Sequence, residues 1–308
     1  MISYSIVIPV KDEAESIPTL YKEIKEVFDK LNRQYEIIFI DDGSTDKSSH
    51  IISTLQKTDR NINLVKFRAN FGKSKALSAG FSETKGELII IMDADLQDDP
   101  RDVLKLLTKI DDGYDLVSGW RKNRADSLTK RVSSYLFNRG TSFISGVKIH
   151  DFNCGLKAFK KEVADELFLH GELHRFIPVL AKKRKFKVTE IEVNNRPRKF
   201  GESKFGKLGI ARGWKGMLDL LTAIFITDYL DKPAHFFGAI GLSFFSIGFL
   251  MDLYVSYIKL TTGTTQGRLP LLLAGVLFIL LGIQLISTGL IAEMMSHYLS
   301  LRKKSSLR

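Results

Sequence analysis

The sequence predicts an α/β domain with a mostly parallel sheet, followed by amphipathic segments and a pair of membrane-spanning helices. Short apolar runs alternate with helical patterns along the first part of the chain, which is typical of parallel strands covered by helices on both faces. Two long apolar runs with almost no charge lie near the other end of the chain. These observations predict a sheet domain attached to a membrane hairpin.

Each predicted strand is short and almost continuously apolar, as expected for strands that are buried on both faces. The predicted strands are 5–10, 36–40, 63–67, 87–92 and 115–118, and the predicted helices lie near 14–31, 46–57, 72–84 and 100–111. Pro100 suits the first turn of the last helix. Ligands of such sheets bind beyond the carboxyl ends of the strands, so the residues that follow each strand are the candidates for chemistry.

The composition excludes several classes of protein. Of the 308 residues, 44% are hydrophobic, which is too many for a disordered chain. The single cysteine, Cys154, excludes an intrachain disulfide and a cysteine-rich zinc site. The formal net charge of +11 predicts a surface that attracts anions, such as nucleic acid, acidic lipid or a phosphorylated substrate.

Two apolar runs are long enough to cross a membrane as helices. Residues 236–258 carry one charge, Asp252, and residues 269–292 carry none, so each helix of roughly 35 Å would span a hydrocarbon core of ~30 Å. Their short connection predicts an antiparallel hairpin, with a buried helix pair in a soluble core as the alternative. Asp252 is expected to make a polar contact between helices or subunits. Close helix packing is expected because glycines recur every seven residues, at Gly241, Gly248, Gly275 and Gly282.

Charge places the two ends of the hairpin on the same side of the membrane. The segment before the first span and the tail after the second are rich in lysine and arginine, whereas the connecting loop has only Lys259 and Arg268. The positive-inside bias therefore predicts cytoplasmic termini. The first ten residues lack the basic start and the long apolar run of a signal peptide. The predicted divisions are a cytoplasmic domain (1–205), a juxtamembrane amphipathic segment (206–232), the hairpin (233–293) and a basic cytoplasmic tail (294–308).

Acidic residues follow three of the predicted strands, although the protein as a whole is basic. The first strand is followed by Asp12 and Glu13, the second by Asp41 and Asp42, and the fourth by the sequence DADLQDDP at 93–100. Clustered carboxylates repel one another unless a cation lies between them, and a hard divalent cation that bridges to a diphosphate meets that need. A single aspartate at a strand end is more often a helix cap, but three such ends together favour a site.

Two stretches combine basic and apolar residues in a pattern typical of helices that lie at a lipid surface. The first, 121–143, carries six basic residues and one acid, Asp126. The second spans 208–226. Taken alone, either stretch could instead be a solvated basic face over the core of the domain.

The order of motifs along the chain resembles the family 2 glycosyltransferases. These motifs are PVKDE, DDGSTD, NFGKSKALSAG, DADLQDDP, DFNCGLKAF and RKFGESKFG. The resemblance covers residues 3–215 and is closest to the polyprenyl-phosphate branch, which includes dolichol-phosphate mannose synthases and bacterial undecaprenyl-phosphate glucosyltransferases with two C-terminal transmembrane helices. It implies a GT-A, Rossmann-like catalytic domain that is followed by interfacial amphipathic helices and the transmembrane hairpin.

The resemblance also implies roles for individual residues at matching positions. The implied nucleotide-sugar site comprises Pro9, Glu13, Asp41, Asp42, Lys73, Asp93 and Arg198. The residues implied to act in catalysis are Asp93, Asp95, Asp151 and Lys204, and the implied metal ligands are Asp95 and Gln97. The implied binding site for the acceptor phosphate comprises Arg121, Arg131 and Ser134.

The activity implied by the resemblance is inverting transfer of a hexose onto polyprenyl phosphate. Glucose from UDP-glucose and undecaprenyl phosphate are the expected substrates, and the products are the lipid-phosphate sugar and UDP. Mg²⁺ or Mn²⁺ is the implied cofactor. The implied setting is a homo-oligomer, a tetramer by resemblance, in the bacterial inner membrane, where it would serve modification of lipopolysaccharide or another cell-surface glycan. GDP-mannose or another nucleotide sugar would suit the same motifs.

Three other functions are compatible with parts of the sequence. A processive polysaccharide synthase shares the sugar-transferase core, but such enzymes usually carry Gln-x-x-Arg-Trp, and no Arg-Trp dipeptide occurs here. A nucleic-acid-binding protein would explain the charge, yet the basic residues cluster on the predicted membrane side. A non-catalytic membrane scaffold leaves the acidic cluster unexplained.

Overall fold

A seven-stranded sheet, in which most neighbouring strands run parallel, forms the centre of the first of two units, Met1–Ala223 and Ile224–Arg308. The structure, a computed structural model, describes residues 2–122, 128–167, 169, 171–200, 222, 232–265 and 267–305. The strands are β1 (Tyr4–Val10), β2 (Tyr35–Asp41), β3 (Ile62–Lys66), β4 (Leu88–Ile91), β5 (Leu116–Trp120), β6 (Lys157–Lys160) and β7 (Val188–Glu192). Their order is β3-β2-β1-β4-β6-β5-β7, and the antiparallel pairs among them are the two that involve β6.

Helices cover both faces of this sheet. They are α1 (Ile17–Phe28), α2 (Ser48–Thr58), α3 (Lys73–Glu83), α4 (Val103–Asp111), α5 (Leu128–Ser145), α6 (Lys161–Glu166) and α7 (Ile177–Lys183). On one face, α1 and α4 contribute buried apolar residues, such as Leu20 of α1, to a core that includes Ile6 and Ile8 of β1. On the other face, α3 packs so closely that a Cβ on Gly80 would lie 2.5 Å from Cγ1 of Val7. The apolar strands are thus buried on both sides.

The carboxyl ends of β1, β2 and β4 meet at one edge of the sheet. Val10 is paired with Asp41 in the parallel register of β1 and β2, and Val7 is paired with Ile91 in that of β1 and β4. The loops that follow these strands therefore begin side by side. Antiparallel β6 starts at the same edge, because its first residue, Lys157, is paired with Ile91.

The predicted α/β class with a mostly parallel sheet is confirmed. The five predicted strands correspond to β1 to β5 and the four predicted helices to α1 to α4, with ends that differ by a few residues. Strands β6 and β7 were not predicted, because β6 has only four residues with a lysine at each end and β7 contains two glutamates. In the sheet, β6 lies between β4 and β5, which are therefore not neighbours.

The second unit contains two long apolar helices, α8 (Pro233–Thr262) and α9 (Leu269–Ser305). The most apolar 18-residue stretches within Pro233–Thr262 and Leu269–Tyr298 have a mean hydropathy of 1.8 and 2.6, and each helix is long enough to cross a membrane. Only 11% of the most apolar part of each helix is buried. That burial does not fit the alternative of a covered helix pair in a soluble core.

Glycines line the contact between α8 and α9. A Cβ on Gly241 would lie 2.7 Å from the carbonyl oxygen of Gly282, and one on Gly248 would lie 2.5 Å from that of Gly275. The close packing expected from the glycine spacing is therefore confirmed. Asp252 lies in the same contact, where its Oδ1 atom faces Gly275, is buried and has no hydrogen-bond partner among the described residues.

Substitution of Gly248 by alanine is expected to destabilise the hairpin. The new methyl group would collide with the backbone of α9, and overpacking of this kind costs about 1–3 kcal/mol. Gly238→Ala is the matched control, because a Cβ on Gly238 meets no atom within 4 Å. Thermal unfolding of the full chain in detergent should show a lower midpoint for Gly248→Ala alone, and equal midpoints would contradict the packing described here.

Candidate functional site

The segment after β4 folds into a tight acidic loop, residues 93–99. Leu96 has a positive φ of 63°, which turns the chain back on itself. The backbone N–H of Asp93 donates to Oδ2 of Asp98 at 3.2 Å, and the N–H of Gln97 donates to Oδ1 of Asp95 at 3.1 Å. These local bonds hold several carboxylates within one short loop at the carboxyl edge of the sheet.

Asp93 is faced by a cation from the start of α3. The Nζ atom of Lys73 donates to Oδ1 of Asp93, whose side chain is one-third exposed. Burial would raise the pKa of Asp93, but the charge and hydrogen bond of Lys73, with help from Arg121, outweigh burial and hold that pKa below its usual value. Asp93 is therefore an ionised carboxylate at the mouth of the site.

Asp98 is the buried partner of Asp93. Its side chain is almost fully buried, and burial together with repulsion from Asp93 raises its pKa to about 7. Gly155 allows both carboxylates to lie against the loop that precedes β6. A Cβ on Gly155 would lie 2.6 Å from Oδ2 of Asp93 and 2.8 Å from Oδ2 of Asp98, so any larger residue would displace them.

Asp95 and Glu13 share a cation that follows β7. The Nη2 atom of Arg198 lies 2.7 Å from Oδ2 of Asp95 and 3.6 Å from Oε1 of Glu13. Burial opposes the charge of Arg198, but the hydrogen bond to Asp95 prevails and raises the pKa of the arginine. The structure thus brings together Glu13, Asp95 and Arg198, which lie far apart in the sequence.

Residues 193–198, which we call the strap, lie across the acidic loop. Asn195 forms a β-bridge with Asp98, and the N–H of Arg196 donates to the carbonyl oxygen of Gln97 at 2.9 Å. The guanidinium of Arg196 contacts Glu23 of α1 at 2.6 Å and Asp99 at 2.7 Å. The strap is therefore held to the loop on the amino-terminal side of Arg198.

Arg121 and Asp151 form a buried ion pair. Nε and Nη2 of Arg121 donate to the two carboxylate oxygens of Asp151 at 2.8 and 3.3 Å. Burial opposes the charge of the arginine, but Asp151 outweighs it, so the pKa of Arg121 lies above its usual value. Arg121, which is expected to bind the acceptor phosphate, is thus paired with Asp151, which is expected to act in catalysis.

The carboxylates of Asp41 and Asp42 organise loops at the same edge. Asp42 is buried and accepts hydrogen bonds from the N–H groups of Phe71 and Gly72 at 2.7 and 2.9 Å. Asp41 accepts from the N–H of Ser44 at 2.8 Å, and its other oxygen has no partner among the described residues. These bonds position the loops that lead into α2 and α3.

The remaining expected residues lie in three different places. Pro9 lies in β1, one residue before the end of that strand. Ser134 lies in α5, where its Oγ accepts from the side chain of Asn138 at 3.4 Å. The side chain of Arg131, and Lys204 as a whole, fall outside the described residues, as do residues 208–226 apart from 222.

Sequence reasoning missed two basic residues close to Lys73, the half-buried His174 and the buried Lys157. The Nδ1 atom of His174 lies 3.0 Å from Oγ of Ser74. Burial together with the charge of Lys73 lowers the pKa of His174 to about 2. Lys157 is buried, which lowers its pKa, and its Nζ donates to the carbonyl oxygen of Cys154. A lone histidine 100 residues from its partner leaves no signal in the sequence, and a strand of four residues is too short to show that its first lysine is buried.

The half-buried His174 makes a contribution to stability that is lost at acidic pH. In the unfolded chain this histidine binds a proton below its usual pKa of 6.5, whereas in the folded chain it does so only near pH 2. The contribution of His174 to the free energy of unfolding is therefore fully present above pH 6.5 and decreases as the pH falls below that value. Between pH 8 and pH 5 this loss amounts to about 2 kcal/mol.

His174→Asn, which retains an acceptor for Ser74, is expected to remove that part of the pH dependence. The exposed His50 provides the control variant, His50→Asn, which should keep it. Thermal midpoints measured across this pH range would test the expectation, and parallel curves for wild type and His174→Asn would refute it.

The donor chemistry of the acidic loop fits a divalent cation that binds together with a diphosphate. Asp95 and Gln97 offer hard oxygen ligands on one loop, and a cation, Arg198, already contacts Asp95 here. The described residues include no group of three or more acidic, histidine or cysteine side chains that could hold a metal ion. Mg²⁺ and Mn²⁺ do not need one when one or two carboxylates act together with substrate phosphates and water.

The fold and the site together define an α/β protein of the class whose ligands bind at the carboxyl edge of a mostly parallel sheet. Residues 5–168 match Glycosyl transferase family 2. The dodecaprenyl-phosphate galacturonate synthase of Rhizobium johnstonii is 34% identical over 299 residues, which span 95% of this chain and 87% of that protein. The chain therefore belongs to glycosyl transferase family 2, as the motifs implied.

Solved structures of another enzyme share the fold. Glucosyl-3-phosphoglycerate synthase from Mycobacterium tuberculosis in complex with Mn²⁺ and UDP-glucose aligns with a TM-score of 0.55 and 15% identity, over 73% of this chain and 79% of that one. Its complex with phosphoglyceric acid aligns with a TM-score of 0.53 and 17% identity, over 73% and 80%. At such identities the likeness establishes the fold alone, and the expected GT-A class is confirmed.

Proposed function

We propose that this protein transfers a hexose from a nucleotide sugar onto polyprenyl phosphate, with glucose from UDP-glucose as the first candidate donor. The observation that carries the proposal is the acidic loop after β4, whose carboxylates face Lys73 and Arg198, in a chain that aligns almost throughout with a polyprenyl-phosphate sugar synthase. The two long apolar helices suit an enzyme whose acceptor is a membrane lipid.

The reaction needs no general base on the protein. A phosphate monoester has a second pKa near 6, so the acceptor is already largely ionised at neutral pH. One of its oxygens attacks the anomeric carbon and forms a C–O bond, while the bond from that carbon to the donor diphosphate breaks with inversion and the electron pair leaves on UDP. The protein's task is then to align the two phosphates and to stabilise the charge that develops on the leaving group.

The residues of the site divide this work. Arg121, with Arg131 and Ser134, would bind the acceptor phosphate, for which a guanidinium is well suited. Asp93 and Asp151 would contact the sugar, and Arg198 and Lys204 the donor diphosphate. Pro9, Glu13, Asp41, Asp42 and Lys73 would bind the rest of the nucleotide sugar. Mg²⁺ or Mn²⁺ held by Asp95 and Gln97 would supply a Lewis acid for the departing diphosphate.

Galacturonate is the second candidate sugar. The 34% identical relative is a dodecaprenyl-phosphate galacturonate synthase, and a uronic acid differs from a neutral hexose by a carboxylate. Lys157 supports this candidate, because it is a buried amine whose hydrogen bond goes to the Cys154 carbonyl oxygen, with no ion pair to a carboxylate among the described residues. A sugar carboxylate beside it would favour its protonated form. GDP-mannose is a third possible donor.

The experiment that tests the proposal uses the full chain in detergent with labelled UDP-glucose, UDP-galacturonate or GDP-mannose and undecaprenyl phosphate. We expect label from one donor to enter the lipid extract in the presence of Mn²⁺. Undecaprenol without its phosphate is the matched control and should accept nothing, because its hydroxyl is not ionised. No labelled lipid from any donor, or equal labelling of undecaprenol, would overturn the proposal.

The proposed setting follows from the apolar helices and the basic segments that flank them. The protein would reside in the bacterial inner membrane with its catalytic domain and both termini in the cytoplasm. It would act as a homo-oligomer and supply lipid-linked sugar for modification of a cell-surface glycan such as lipopolysaccharide. Labelling of single cysteines introduced near each terminus, in intact and opened cells, tests the orientation.

A further inference from the structure

Arg198 contacts the carboxylate of Asp95, which is expected to hold the divalent cation. Oδ2 of Asp95 contacts Nη2 of Arg198 at 2.7 Å, and Oδ1 accepts from the N–H of Gln97 at 3.1 Å. Both oxygens are therefore engaged inside the protein, and the pair is largely buried, with side-chain exposures of 14% for Asp95 and 23% for Arg198. A cation that binds to Oδ2 therefore competes with the guanidinium for that oxygen.

The rest of the strap does not depend on this contact. Arg196 is held by Glu23 and Asp99, and the N–H of Asn194 donates to Oδ2 of Asp102 at 2.6 Å. These anchors lie on the amino-terminal side of Arg198. The Arg198 side chain can therefore leave Asp95 while the strap stays in place on the acidic loop.

We propose that Arg198 is an internal substitute for the divalent cation at Asp95, and that it moves to the donor diphosphate when that cation binds. This inference rests on the proposed function. An arginine and a divalent cation compete for one carboxylate, and a diphosphate offers the displaced guanidinium a bidentate partner. The cation then binds weakly until the nucleotide sugar arrives, because the diphosphate gives Arg198 a bidentate partner in place of Asp95.

The exchange would keep the acidic loop intact between turnovers. Without a cation, Asp95 would add an unpaired negative charge beside Asp93 and Glu13, and such a cluster is costly in a partly buried position. Arg198 neutralises Asp95 in that state. Arg198 would thus neutralise Asp95 before the donor binds and would contact the diphosphate leaving group afterwards.

The test measures Mn²⁺ affinity without any nucleotide, from the electron paramagnetic resonance signal of unbound Mn²⁺ in titrations of the full chain. Arg198→Ala should bind Mn²⁺ about tenfold more tightly than wild type, because the competing hydrogen bond to a charged group is lost. Arg198→Lys keeps a cation at this position and should stay close to wild type. Asp95→Asn should lose the site.

Arg101→Ala is the matched control for charge. Arg101 contacts Asp99 of the same loop at 2.7 Å but is mostly exposed and does not contact Asp95. Its removal should leave Mn²⁺ affinity nearly unchanged. Equal tightening in Arg101→Ala and Arg198→Ala, no tightening in Arg198→Ala, or full binding by Asp95→Asn would each overturn the inference.

The two proposals fail separately in these measurements. Labelled lipid-phosphate sugar together with unchanged Mn²⁺ affinity in Arg198→Ala would refute the exchange and leave the proposed function standing. Tighter Mn²⁺ binding without transfer from any nucleotide sugar would support the exchange at Asp95 and refute the function.

Discussion

Asp95→Asn is expected to lower the rate of sugar transfer at least a hundredfold while the protein remains folded. Asparagine has nearly the same size, and its amide oxygen can still accept from the N–H of Gln97. The substitution removes the negative charge that Arg198 contacts and that a divalent cation would bind. Loss of one preorganised electrostatic contact at a reacting centre typically costs a factor of about 10²–10³.

The measurement is the initial rate of lipid labelling at saturating donor, with the thermal midpoint recorded for the same preparation. Asp111→Asn is the matched control, because Asp111 is exposed at the end of α4 and should leave the rate unchanged. Wild-type turnover by Asp95→Asn would refute the role assigned to this carboxylate.

Gly155→Ala is expected to reduce transfer about a hundredfold through a single methyl group. The new Cβ would lie 2.6 Å from Oδ2 of Asp93 and 2.8 Å from Oδ2 of Asp98, so both carboxylates must move. Displacement of a group at a reacting centre by about 1 Å can cost 10²-fold in rate. Some loss of stability should accompany the effect, because the site is buried and tightly packed.

Gly140→Ala separates this local effect from a general effect of alanine. Gly140 lies in α5, and a Cβ there meets no atom within 4 Å. Alanine in a helix interior is more favourable than glycine by about 1 kcal/mol, so this variant should be as active as wild type and no less stable. Rates measured beside thermal midpoints distinguish the two positions, and normal turnover by Gly155→Ala would contradict the packing at Asp93.

The sequence predicted the part of the fold that depends on local pattern. Continuous apolar runs identified β1 to β5, and the acids that follow β1, β2 and β4 indicated the edge where a site would form. Strand β6 was not predicted because its four residues, Lys157–Lys160, are too few to show a period. Its first lysine is buried by residues that are distant in the sequence. Burial of that kind depends on tertiary structure, which a local pattern does not contain.

The partners of the site residues were harder to predict than the residues themselves. Arg198 and Asp95 are 103 positions apart, and Arg121 and Asp151 are 30 apart. A motif indicates that each residue belongs near the ligand, but it does not indicate which charges neutralise one another before a ligand arrives. His174 was not predicted because its half-buried environment arises from contacts with Ser74 of α3 rather than from adjacent residues.

The reversed direction of β6 determines which stretches of the chain can reach the catalytic edge. In a purely parallel sheet, the residues that precede a strand lie at the amino edge of the sheet, away from the ligands that bind at the carboxyl edge. Because β6 runs the other way, the residues just before it arrive at the catalytic edge instead, and Gly155 lies directly beside Asp93. The reversed direction of this one short strand thus adds the loop that precedes β6 to the loops that follow the parallel strands at the catalytic edge. That loop contains Asp151, the counter-ion of Arg121.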